Sequence, residues 1–513
     1  MLPGLPLLAE LQAAGSLRLS GLDLGILIAY MLAVVVFGLA MGRRQKDAAD
    51  FILGGKSLPT WAILLSIVAT ETSTVTFLSI PGWAYAHGMA WQQIPLGYMI
   101  GRVFVILVLM PRYFQGEIFT AYEVLEQRFG PSVKKVASFL FILTRTLADG
   151  LRLFLTALVL QIVVGIPLVQ SVVAIGIATI LYTFLGGMRA VVWTDAVQFV
   201  LYIAGAIVAL LVIISQVDGG WDTIVSVGSA AGRFEFFDTT FDLTKVDTLW
   251  AGLIGGAMLS FSTHGVDQMM VQRYLSAKNR ASASTALALS GLVVWAQFLL
   301  FLLLGVALFV YYGQQQPVPE FDKGDRILAT FLVDHMPKGM IGLLLGAVFA
   351  AAMSTLSSSL NSSATTLQKD LWPRRRDRDG RTELRLLRGF TILFGVAQIL
   401  VGIGAQDVGG STVNNVLAIA GFVTGLLLGV FLLARVQIGA NTQGALIGLI
   451  AGFLIMCYQH FGPGIVPGLA WPWYALLASS SVFVTGLLAS RFFLGTHIDP
   501  SSGIPSSSDA RDE

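Results

Sequence analysis

Apolar runs of bilayer-crossing length recur almost without pause from residue 22 to residue 494. A helix rises about 1.5 Å per residue, so roughly 20 apolar residues cross a hydrocarbon core of about 30 Å. On that rule the sequence predicts about 13 spans. Their approximate limits are 22–42, 58–80, 93–113, 134–164, 168–186, 192–215, 250–273, 284–312, 338–368, 385–404, 412–434, 443–460 and 472–494. Only 12% of residues are charged, against about 25% in a soluble domain. Such a chain cannot cover itself with polar surface, so lipid is its solvent. The expected fold class is an all-α polytopic membrane protein. A net charge of +2 gives no basis for a nucleic-acid partner. Cys457 is the only cysteine, so neither an internal disulfide nor a cysteine metal cluster is expected.

The loops carry orientation. Arg43, Arg44, Lys46 and Lys56 follow the first span, and Arg112, Arg128, Lys134 and Lys135 the third. Arg189 follows the fifth span, and Arg273, Lys278 and Arg280 the seventh. Arg374, Arg375, Arg376, Arg378 and Arg381 follow the ninth, and Arg435 the eleventh. Basic residues therefore recur on alternate loops, and the intervening loop at 216–249 is acidic. The positive-inside rule then puts the N-terminus outside and the C-terminus in the cytoplasm. Met1–Ser20 lacks the parts of a cleavable signal, so residues 1–21 are expected to form an outer segment. The Ser- and Pro-rich tail 495–513 is expected to be disordered. No loop is long enough to fold a catalytic domain. No P-loop, GxSxG or HExxH motif supports an enzyme.

Polar groups inside spans are expensive in lipid and mark function. The second span carries Ser66, Thr70, Glu71, Thr72, Ser73, Thr74 and Thr76 before Pro81. β-Branched threonines and a proline weaken the helix there, and an unwound stretch frees carbonyls for a cation. The alternative is hydroxyls back-bonding to the i−4 carbonyl; Glu71 favours the ion or solute reading. The ninth span carries Ser354, Thr355, Ser357, Ser358, Ser359, Asn361, Ser362 and Ser363. Adjacent hydroxyls at Ser354 and Thr355 suit a monovalent cation, and Ser354, Ser358 and Ser362 share one helix line. Small-residue packing explains the alanines beside them better than this many hydroxyls. The fourth span holds Arg145, Asp149 and Arg152 on one face, as an anion site or as a structural ion network. Gly186-Gly187 predicts a tight inside turn. Asp195 then caps the next span or sits beside an inward ion path. Gln92 and His264 are further solute candidates. The histidines lack metal-ligand spacing and are expected in loops or interfaces.

Four segments together resemble the sodium:solute symporter family, which includes sodium/glucose, sodium/proline and sodium/sialic acid transporters. They are Ser66–Phe77, the run from Gly186 to Gln198, Asp267-Gln268-x-x-x-Gln272-Arg273-Tyr274, and Ser354-Thr355-x-x-Ser358-x-x-Asn361-Ser362. The resemblance covers roughly residues 20–490. It implies a leucine-transporter-like core of two inverted five-helix repeats, 58–215 and 250–434. One extra helix (22–42) precedes them and two (443–494) follow. Spans two and seven become the discontinuous pair, with solute between them near the midplane. It implies sodium on the carbonyls of Ala69, Thr72 and Ala351 and the hydroxyls of Ser354 and Thr355, with Asp195 close to the inner side. The matching positions depart from the sugar carriers at Thr70–Thr76. Arg145 lies in the helix from which sialic acid carriers of this family present an arginine to a carboxylate.

The expectation is sodium-coupled symport of a small organic solute, carboxylate-bearing or sugar/polyol-like, into the cell by alternating access. Solute candidates are Thr70, Glu71, Ser73, Thr76, Gln92, Arg145, Asp149 and His264, with Asp195 and Ser358 on the ion path. Sodium is the expected coupling ion, with no other cofactor and no obligatory protein partner. The expected location is the cell membrane, of a bacterium's inner membrane type. Rivals are proton coupling on the same fold, through Glu71 or Asp195, and a passive channel, which would need a symmetric filter.

Overall fold

The computed structural model describes residues 20–42, 47–72, 74–319, 321, 324–373, 379–405, 412–436 and 439–492. Most of the expected outer segment, the tail 495–513 and Ser73 lie outside the described residues.

Every regular element among the described residues is helical. The first span is α1 (Gly21–Gly42). A short α2 (Ala48–Leu53) follows, capped by the Asp47 carboxylate accepting from the Asp50 amide. The second span divides into α3 (Thr60–Glu71) and α4 (Thr74–His87). The third is α5 (Gln93–Phe104), which runs through a π-turn, Val105–Leu109, into α6 (Met110–Tyr113). After α7 (Glu123–Phe129) comes the fourth span, α8 (Pro131–Val164). The fifth and sixth spans are both in α9 (Leu168–Gln216), which is broken by a kink at Gly187 with φ 50° and ψ −162°. That left-handed backbone needs a residue without Cβ. The acidic loop contains α10 (Gly220–Ala230).

The seventh span divides like the second, into α11 (Ala257–Val266) and α12 (Gln268–Leu275). Then come α13 (Arg280–Gly313), α14 (Asp325–Asp334), α15 (Met340–Thr366), α16 (Gly380–Gly404), α17 (Thr412–Arg435), α18 (Thr442–Phe461) and α19 (Tyr474–Phe492). Eight of the described helices are long and apolar enough to cross a membrane alone, and up to nine with the bent pair α3/α4. The other expected spans coincide with helices that are shorter, more polar or broken, so this measure does not by itself give 13.

The two breaks position everything that follows. α3 and α4 meet at 59°, where Thr72 is extended at φ −88°, ψ 105°. Asp267 is extended likewise at φ −76°, ψ 119°, and its carboxylate caps α12 by accepting from the Met269 amide at 2.9 Å. Each break leaves helix-end carbonyls without an intrahelical donor. Between the two lies α15. In its most apolar window 89% of residues are buried, against 22% for α1. α15 therefore runs through the centre of the bundle and α1 lies on its outside. α3 packs on α9, α13 and α15, and α12 on α15 and α3. Close packing elsewhere uses glycine: a Cβ on Gly97 of α5 would stand 2.0 Å from the Gly252 carbonyl.

Candidate ion and solute site

The seam between α3 and α15 is polar on both sides and sealed from lipid. Ser354 and Thr355 are 0% and 1% exposed. The Thr355 hydroxyl donates to the Thr70 carbonyl at 3.2 Å, across the seam, and lies 3.5 Å from the Ala351 carbonyl within its own helix. Ser354 donates to Asp195 Oδ1 at 2.8 Å, and Ser358 to the Ser354 carbonyl at 2.7 Å. Ala69 and Ala351 are fully buried, and Thr72 nearly so. Ala69 and Thr72 stand at the open C-terminal end of α3. The five oxygens implied for sodium thus come from two adjoining helix segments, one of them ending there.

Asp195 is no helix cap. It lies about two turns past Gly187 and faces into the bundle, because the chain has already re-entered the helix at the glycine turn. Its Oδ2 accepts from Ser66 at 2.6 Å, from Thr70 at 3.3 Å and from Arg273 at 2.9 Å. Arg273 of α12 also donates to Ser66 at 2.8 Å, to the Met269 carbonyl at 2.5 Å, and to the hydroxyls of Thr70 and Ser358. One guanidinium therefore ties α12, α3, α9 and α15 together. Below it, Gln272 donates at 2.8 Å both to the Ile52 carbonyl and to Asn361. Thr60 and Ser282 hydroxyls meet at 2.7 Å, and Leu58 pairs with Ala277. This end of the bundle is closed.

The fourth-span charges form an ion network that also reaches the second break. Arg152 binds Asp149 at 2.6 Å, Arg145 lies 3.9 Å from Asp149, and Arg145 pairs closely with Asp267. Thr144, Arg145, Arg152, Asp267 and Thr424 edge a cavity of about 20 Å³, room for roughly one water. Asp149 Oδ2 and Arg152 Nε are buried there without a hydrogen-bond partner.

A third cluster surrounds Glu71, the last residue of α3. Its Oε2 is paired with Arg102 of α5 and lies 3.5 Å from His264 Nε2. Arg102 also donates to Ser290 of α13 at 3.1 Å, and His264 Nδ1 lies 3.0 Å from the Tyr274 hydroxyl. His264 is thus 1% exposed and interior, rather than in a loop. Arg102 has no local partner to announce it; its only signal in the sequence is an arginine inside an otherwise apolar span. Arg273 and Gln297 also escape a spacing argument. Gln297 donates to the Thr72 hydroxyl at 2.5 Å and accepts from Tyr202 at 3.2 Å. Thr76 is half-buried in the first turn of α4. Gln92 donates to the Trp295 carbonyl at 2.9 Å, a bond that joins none of the three clusters.

These central charges balance: Arg102, Arg145, Arg152 and Arg273 against Glu71, Asp149, Asp195 and Asp267. Pairing is what makes ionised groups tolerable at this depth.

The sodium:solute symporter family model matches residues 51–452. The sodium/sialic acid symporter SiaT of Proteus mirabilis is 30% identical over 485 residues, covering 92% of this chain and 95% of that protein. Human sodium-coupled monocarboxylate transporter 1 is 31% identical over 444 residues, covering 85% and 72%. The solved substrate-bound, outward-open state of a Na+-coupled sialic acid symporter superposes with a TM-score of 0.84 at 29% identity, covering 92% of this chain and 98% of that one.

Proposed function

The chain belongs to the sodium:solute symporter family, a multi-pass membrane carrier of leucine-transporter-like fold driven by sodium, and from that premise we propose how its residues do the work. Sodium is held by the carbonyls of Ala69, Thr72 and Ala351 and the hydroxyls of Ser354 and Thr355. Asp195 and Ser358 lie on its path to the cytoplasm. The solute is a small organic molecule with a carboxylate, received between the two helix breaks and presented to Arg145. The N-terminus is outside and the C-terminus cytoplasmic, in a cell membrane of bacterial inner-membrane type. The repeats are residues 58–215 and 250–434.

The observation that carries this reading is the α3–α15 seam. An ion whose ligands are divided between two helices stabilises the arrangement in which they touch. The same seam bears the contacts that close the inner end, through Ser66, Thr70, Asp195, Ser358 and Arg273. Sodium therefore favours the inner-closed form. Its departure allows α3 to swing from α15 and the inner path to open. Coupling follows when ion and solute together bind one form better than either does alone.

Charge favours an acid as cargo. With the central pairs neutral, one sodium adds a positive charge, and one carboxylate cancels it. The sialic acid and monocarboxylate carriers named above are relatives by sequence, and both names denote acids. The test is thermal stability of the purified protein against sugars, amino acids and organic acids, each in sodium and in choline chloride. An acid that stabilises only with sodium supports the reading. Equal stabilisation in both salts, or a response to sugars alone, contradicts it.

A further inference from the structure

We propose that Glu71 selects, among acids, those carrying a hydroxyl group; the inference rests on the carboxylate reading above. Glu71 ends α3 at the break. Its neighbours Thr70 and Thr72 are 2% and 1% exposed, whereas its own side chain is 16% exposed. Arg102 of α5 and His264 of α11 hold it on one side, and Arg102 is itself fixed by Ser290 of α13. Both neighbouring nitrogens address the same oxygen, Oε2. Oε1 receives no hydrogen bond from a described residue.

The partners are incompletely satisfied too. Arg102 Nη1 is buried without a hydrogen-bond acceptor, and His264 Nε2 has only the Glu71 oxygen at the long distance of 3.5 Å; each residue's side chain is 1% exposed. A buried polar group left unpaired costs free energy, so a guest that pairs it is favoured. The locus therefore offers a carboxylate oxygen as acceptor beside guanidinium and imidazole nitrogens. A guanidinium can only donate. A hydroxyl matches this set, because it donates once and accepts as well. A bare alkyl acid leaves the locus unpaired. An ammonium pairs with Oε1 but brings a second positive charge next to Arg102. The site of charge recognition at Arg145 stays separate: it pairs with Asp267, three residues beyond His264 on the same span.

The experiment compares matched acids on purified wild-type protein in sodium chloride by thermal shift and equilibrium competition. Lactate, alanine and propionate differ only in the group on the second carbon, and gluconate and hexanoate extend the comparison to six carbons. The expected result is that the hydroxylated acid of a set binds at least about tenfold tighter than its partners, the scale of one hydrogen bond to a charged group. Glu71→Gln should reduce that preference to within about twofold, since a neutral amide accepts more weakly. Equal binding of hydroxylated and bare acids, or an unchanged preference in the variant, overturns the inference while leaving the carboxylate reading intact. If no acid binds although sodium still stabilises the protein, both fall together. Should Glu71→Gln not fold, the wild-type comparison alone decides.

Discussion

At the residue scale, the neutral oxygens at Ser354 and Thr355 and the charges around them have different duties. The hydroxyls carry no charge and are the groups proposed to meet sodium, whereas the charges around them are paired with one another. Thr355→Ala should raise the sodium concentration for half-maximal uptake about tenfold or more, as loss of one polar ligand predicts. Ser354→Ala should act in the same direction, measured as sodium activation of tracer uptake in proteoliposomes. Unchanged sodium dependence in both variants would remove the ion from this seam. Arg273→Gln leaves Asp195 buried without its cation, at a cost of about 3–5 kcal/mol. The thermal transition should fall clearly, and Arg273→Gln with Asp195→Asn should recover part of the loss. Ser354 and Thr355 stand out in the sequence as adjacent hydroxyls in an apolar span, and the structure buries both at the α3–α15 seam. The pairing of Glu71 with Arg102, 31 residues later, is not legible, because it is made across two spans and no helical spacing records it. For Asp195 the sequence leaves a cap and a place beside an ion path both open, because its partners come from three other helices that no local spacing records.

At the element scale, the breaks matter more than the helices. Among the described residues, the backbone turns extended inside a span at Thr72 and at Asp267, and the ionic clusters gather around them. Apolar length made the span limits readable to within a few residues, as for α13, expected at 284–312 and found at Arg280–Gly313. It could not reveal α2, α7 or α14, whose 6, 7 and 10 residues are too few to show an apolar run. The glycine contact between α5 and the start of the seventh span is equally specific. A Cβ on Gly101 would lie 2.3 Å from the Ala257 carbonyl, and backbone there has no room to yield. Gly101→Val should therefore push α5 off α11 and cost about 1–3 kcal/mol or more, the usual penalty of overpacking. The check is monodispersity and thermal transition; a variant as stable as wild type would show that these helices have slack.

At the scale of the whole molecule, the proposed cycle has two states, one closed at each end of the bundle. One end of the bundle is held together by Leu58–Ala277, Thr60–Ser282 and the Arg273 network; in the proposed cycle this is the inner end, and sodium at the seam favours its closure. With Cys457 replaced by serine, a Thr60→Cys reporter should react slowly with a maleimide in sodium and severalfold faster in potassium. Equal rates in both would mean that the ion does not govern this end. Apolar length makes the all-helical membrane class legible, and the leucine-transporter-like arrangement comes from the family resemblance. The coupling follows from neither, because it depends on which of two helices an ion holds together.

The most direct test of that claim is a high-resolution map of the protein in saturating sodium. The account predicts a bound ion between α3 and α15, enclosed by the carbonyls of Ala69, Thr72 and Ala351 and the hydroxyls of Ser354 and Thr355. An ion found elsewhere, with these five oxygens turned apart, would contradict it.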